Sequence, residues 1–111
     1  MKIETYQKRG YQVIRIFEEW DVISDLSELR DLVVGYLNRG RKHLAVSFSD
    51  ASYIYSGALK ILINCHKLVK EQEGSLSIIE PNPKLLNILD ALSINHVISI
   101  YVSEDFLPER S

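Results

Sequence analysis

Strand-like and helix-like segments alternate along most of this chain, and that alternation predicts an α/β fold with a mixed β-sheet. Three observations carry the prediction. Short alternating or continuous apolar runs at 11–17, 44–48, 75–79 and 96–102 have strand character. Between the later runs lie stretches of ten or more residues with helical apolar spacing. Gly40, Gly74 and Asn82-Pro83 then punctuate the changes from one period to the other. Strands separated by helices of that length are joined by crossovers and so lie parallel. The expected order is β(β)αβαβαβ, in a sheet of four to five strands.

The first certain strand is "YQVIRIF", 11–17, which alternates apolar and polar. "KIETY" before it is a second strand, turned at Arg9-Gly10 and paired antiparallel. Asp25 followed three residues later by Glu28 has the spacing of a capping box. Leu26, Leu29, Leu32, Val33, Tyr36 and Leu37 then fall on one helical stripe, which Asn38-Arg39-Gly40 stops. "HLAVSF" holds a strand from Leu44 to Phe48, too continuously apolar to be half exposed. A helix is expected from Gly57 to about Gln72, a turn at Gly74, and a strand in "SLSII". Asn82 as N-cap with Pro83 at the first helical position starts the next helix, with Leu85, Leu86, Ile88, Leu89 and Leu92 as its buried face. "HVISIYV" is the last strand, and the tail adds a short helical turn before Pro108.

A length of 111 residues suits one domain, 1–111, and no repeat or linker interrupts it. A domain of this size buries roughly two-thirds of its unfolded surface, enough for one ordinary core. The composition, 46% hydrophobic and 25% charged, is that of a globular protein. A net charge of -2 gives no general attraction to nucleic acid. The basic cluster Arg39, Arg41 and Lys42, around Gly40, reads as a solvated helix end complementing the helix dipole rather than as a phosphate-binding patch. No apolar run approaches the roughly 20 residues that span a bilayer, and the amino terminus has no apolar signal region. With one cysteine, no internal disulfide forms. The expectation is a cytoplasmic protein without membrane insertion.

Catalytic and cofactor motifs are scarce. The glycines at 10, 35, 40, 57 and 74 form neither a dinucleotide fingerprint nor a P-loop. His43, His66 and His96 are far apart, and no Cys or His pair has metal-ligand spacing. Cys65 and His66 are adjacent, but neighbours on a helix point about 100° apart. Cys65 shares a stripe with Ala58, Ile61, Leu62, Leu68 and Val69, so it reads as a core thiol. Glu18, Glu19 and Asp21 close the second strand with no nucleophile spaced to join them. No enzyme, cofactor or metal site is expected.

The stretch "SDASYIYSGALKILI", 49–63, says most about function. Two tyrosines lead into Ser56-Gly57 at the doorway of the most apolar helix. Ser56 can cap that helix by accepting from an early amide. A phosphoryl group on it would also lie at the positive end of the dipole, where an anion is favoured. Leu59 and Ile63 flank the core stripe; either they widen it or they form an apolar strip beside Ser56. Tyr55 is either a binding anchor or packs back onto the sheet.

Five pieces of the chain together resemble a known family: "EEWD" (18–21), Leu44 to Ser49, "YIYSGAL" (53–59), Glu73-Gly74, and "NPKLLNILDALSINHVISIY" (82–101). They are similar to the motifs of the STAS domain, the anti-sigma factor antagonist family. On that resemblance Ser56 occupies the phosphorylated serine position. Tyr55 stands for the aspartate before it, Gly57 for a second serine, Ala58 for a glycine, and Ser47 for a strand aspartate. The resemblance implies a STAS-like mixed sheet and a bacterial partner-switching protein that regulates transcription. Its partner would be an anti-sigma factor with serine kinase activity, or another signalling ATPase, bound when Ser56 is unmodified and released by phosphorylation. Asp21, Ser52, Tyr53, Tyr55, Gly57, Leu59 and Ile63 are the candidate contact residues. A second copy of the chain is a further partner class. The alternative is a non-enzymatic STAS subunit of a larger assembly, a transport ABC system or a stress-signalling complex, without the switch.

Overall fold

The computed structural model describes residues 2–17 and 22–109. Its fold is α/β. Strands β1 (Lys2–Lys8), β2 (Tyr11–Phe17), β4 (His43–Ser47), β6 (Ser75–Ile79) and β7 (Ser99–Tyr101) form one five-stranded sheet in the order β1-β2-β4-β6-β7. The β1–β2 pair is antiparallel and the other pairs are parallel, so the sheet is mixed as expected. Helices α1 (Ser27–Asn38), α2 (Ser56–Glu71) and α3 (Pro83–Ala91) connect the parallel strands.

Register explains the first turn. Lys8 faces Tyr11 across the ladder, which leaves only Arg9 and Gly10 between the strands. Both have positive φ, 56° and 86°, as a two-residue turn matched to strand twist requires. Gly10 takes that conformation freely, whereas Arg9 carries the cost of its Cβ. Close approach dictates a second glycine. A Cβ on Gly74 would lie 2.1 Å from the Lys42 carbonyl oxygen, beside which the Ser75 amide donates to that same oxygen at 2.8 Å.

The main core lies between one sheet face and the helices: Ile14, Leu44, Val46 and Ile78 meet Leu29, Val33, Leu62 and Leu85. The opposite face is covered too. Tyr11, Val13, Ala45 and Ile79 gather around Leu107, brought back by the C-terminal segment. This double cover is why Ser47 and Ser77, on the second face, are buried. A polar network fastens the segment. Glu104 accepts from the Tyr6 hydroxyl and from Lys8 Nζ at 2.9 Å, and Arg15 bridges to Glu80 at 3.1 Å.

Three expectations are corrected. Leu26 is pulled fully into the core and becomes the N-cap of α1, so no capping box forms. Asp25 instead accepts from the Ser27 amide at 3.1 Å and hydroxyl at 2.7 Å, and those bonds hold its carboxyl below the usual range. Strand β7 is shorter than 96–102 because a 3-10 turn, Ile94–His96, takes that backbone, with the Ile98 amide closing onto Ile94. Leu92 ends α3 on its outer side and is 55% exposed rather than core. The Asn82 cap forms as read, its side chain accepting from the Lys84 amide at 2.9 Å with Pro83 behind it.

Candidate functional site

A second, two-stranded sheet builds the doorway of α2. Strands β3 (Val22–Ile23) and β5 (Tyr53–Ile54) pair in parallel beyond the carboxyl ends of β2 and β4. Period-two alternation sends Ile54 inward, 4% exposed, and Tyr53 and Tyr55 outward, 45% and 52% exposed. Tyr55 therefore does not pack back onto the sheet. The two tyrosine rings meet edge to face at 5.3 Å. Each of these strands is only two residues long, too short for any periodicity to announce in sequence.

Tyr55 also decides where the helix begins. Its amide donates to the Ile23 carbonyl at 3.0 Å, continuing the small ladder, while its carbonyl accepts from the Leu59 amide at 3.0 Å. With an extended backbone, Tyr55 is the N-cap, and Ser56 is the first helical residue. The expectation that Ser56 caps the helix is therefore corrected. No side chain from the cap position bonds the first turn, and no acidic residue lies in that turn. The leading amides of α2 lack intrahelical acceptors by construction.

Beyond the doorway, Ala58, Leu62, Cys65 and Val69 are buried along one face of α2. Ile61 and Leu68, expected on that stripe, are only half-buried. Burial pushes the Cys65 thiol up to about 11, which fits an inert core group. Leu59 and Ile63 are half-buried and packed against the main core, so they widen the apolar face and form only the margin of an exposed surface. Ser56 and Gly57 are exposed, and the space beside Gly57 is open; Ser52 is half-buried. The structure thus brings Tyr53, Tyr55, Ser56 and Gly57 together at one surface, with Leu59 and Ile63 at its edge. Asp21 lies outside the described residues, as does the whole Glu18–Asp21 stretch.

The histidines stay apart. His43 Nδ1 lies 2.9 Å from the Ser75 hydroxyl, and His66 is half-buried on α2, where burial and then the Lys70 charge hold its imidazole below the ordinary value. Among the described residues no group of His, Cys, Asp and Glu comes together that would hold a metal, and no helix is long and apolar enough to cross a membrane.

Residues 2–107 match the STAS domain family, and the chain belongs to it. It is 23% identical over 105 residues to an anti-sigma F factor antagonist of Paenibacillus polymyxa, covering 94% of this chain and 89% of that one. It is 27% identical over 100 residues to the anti-sigma-B factor antagonist of Bacillus subtilis (strain 168), covering 90% of each. The fold superposes on the phosphorylated form of the Bacillus cell fate determinant SpoIIAA with a TM-score of 0.68 at 13% identity, over 94% of each chain.

Proposed function

We propose that this chain is an anti-sigma factor antagonist, a non-enzymatic cytoplasmic binding protein. The surface around Tyr53, Tyr55, Ser56 and Gly57 takes a partner of the anti-sigma factor/serine kinase type. Leu59 and Ile63 lie at its margin, Ser52 and Asp21 are further candidate contacts on the family resemblance alone, and phosphorylation of Ser56 switches binding off. The observation that carries the reading is the exposed Ser56 at the first position of an uncapped helix.

The chemistry follows from that position. The partner's ATP supplies the phosphoryl group: a bond forms from Ser56 Oγ to the γ-phosphorus, the bond to ADP breaks, and the hydroxyl proton leaves to a base on the kinase. The product is stabilised where it stands, because the positive end of α2, whose leading amides lack intrahelical acceptors, favours an anion. The same group sets about two negative charges beside two exposed tyrosines, and desolvating them on docking opposes the complex. Unmodified, the tyrosines supply large contact area at little entropic cost.

The test uses wild type and Ser56→Asp as paired baits in native extract, with mass spectrometry for captured proteins and for phosphate at Ser56. A kinase-type anti-sigma factor that binds wild type and is lost with Ser56→Asp supports the reading. If both baits hold the same partner and Ser56 is never modified, the chain is a constitutive subunit of a larger assembly, a reading that the exposed Tyr55 in place of the family's aspartate also suits. Tyr55→Ala then tests the surface alone, with at least tenfold weaker capture expected.

A further inference from the structure

At the far end of the sheet from Ser56, two turns border an open cleft of about 550 Å³. One wall is the β1–β2 turn with Lys8, Arg9 and Gly10; the other is the segment from Gly40 to His43 that enters β4. We infer that this cleft binds a small phosphorylated molecule through Arg9, Arg41 and Lys42.

Charge is the first argument. Among the described residues no carboxylate lines the cleft, and Arg9, Arg41 and Lys42 are in no ion pair. Lys8 is different, because Glu104 and Asp105 take its ammonium at 2.9 and 3.1 Å. Complementing the α1 dipole does not account for the rest. The carboxyl end of a helix carries about half a negative charge, against three full cations, and Arg9 comes from a hairpin remote in sequence. Like charges gathered around one space repel, and an anion between them relieves that repulsion.

Preorganisation is the second argument. Arg41 Nη1 donates to the buried Gln12 Oε1 at 2.9 Å, and Gln12 Nε2 in turn donates to the Tyr6 carbonyl at 3.2 Å. Arg9 is steadied by a bond from Nε to the Leu107 carbonyl at 2.8 Å. Both guanidiniums are thus held by neutral acceptors, which leave their charge uncompensated, and a planar guanidinium suits a phosphate group. The volume falls in the range of small-molecule sites, and the Tyr11 and His43 rings, 6.2 Å apart, line its inner side.

The experiment titrates inorganic pyrophosphate into isotopically labelled protein at constant ionic strength and follows backbone amides by NMR. Saturating shifts are expected at Gly10, Gly40 and His43, and an Arg41→Gln, Lys42→Gln double variant should bind at least tenfold more weakly. Equal shifts with chloride, unchanged binding by the double variant, or shifts confined to the α2 start at Gly57 and Ala58 would overturn the proposal. Should the double variant fail to fold, Lys42→Gln alone, whose side chain makes no bond in the fold, decides: at least threefold weakening supports the site, and unchanged affinity sinks it.

Discussion

Helices α2 and α3 begin in opposite ways. At α3 the Asn82 side chain takes the Lys84 amide and Pro83 removes a donor, so the start is chemically closed. At α2 the cap position is Tyr55, whose side chain bonds nothing in the first turn, and Ser56 stands open to solvent. Length and burial explain why the open start is tolerated. The nine residues of α3 bury Leu85 and Leu89, whereas the sixteen of α2 bury Ala58, Leu62, Cys65 and Val69. A short helix is marginal without help at its ends, while a long one is held by its packed face. The difference teaches that α2 draws its stability from the middle, which leaves its first residue available for modification.

Removing that middle is the harshest way to break the comparison. Leu62, fully buried, should cost about 2–5 kcal/mol when changed to Ala, read by urea unfolding. A loss below about 1 kcal/mol, small for a core truncation, would mean α2 is not anchored by this face. The next largest effect separates the two starts directly. Asn82→Ala should cost about 1 kcal/mol through the lost cap, whereas Ser56→Ala should stay within about 0.5 kcal/mol, as exposed substitutions do. Equal losses at both positions would show that Ser56 caps α2 in solution after all.

Much of this architecture was legible in the sequence because it depends on local signals. Asn82-Pro83, the Arg9-Gly10 turn and the apolar stripe of α2 each declare themselves within a few residues. What stayed hidden depends on pairings across long separations. Ser56 reads locally as a cap because nothing in 49–63 announces that Tyr53 and Ile54 pair with Val22 and Ile23, and that pairing is what moves the cap to Tyr55. The capping box at Asp25 fails for a related reason: burial of Leu26 makes it the N-cap, and Asp25 bonds the Ser27 amide from one position outside. Nor could a local reading join Arg9 to Arg41 and Lys42, because the cleft exists only once β2 and β4 lie side by side. Residues read as a dipole complement gained a second neighbour from a different part of the chain.

The subtlest test is Ser56→Asp as a stability experiment rather than a binding one. A carboxylate at the first position of α2 sits at the positive end of its dipole, where no acidic residue lies in the first turn to compete. The substitution should therefore stabilise the fold, by about 0.3–1 kcal/mol at low ionic strength. Thermal unfolding in low salt and then in 1 M salt separates this from a packing effect, because the Debye length there falls to about 3 Å and the gain should vanish. Asn82→Asp provides the matched comparison: it adds the same charge at the start of α3, where the Lys84 amide is already satisfied, so its gain is the charge–dipole part alone and should vanish in salt to the same extent. If Ser56→Asp instead destabilises the fold by more than about 1 kcal/mol, outside the usual range for an exposed site, then its failure to capture a partner would report a damaged helix rather than a thrown switch. A stabilised variant that still loses its partner would leave charge at Ser56 as the cause.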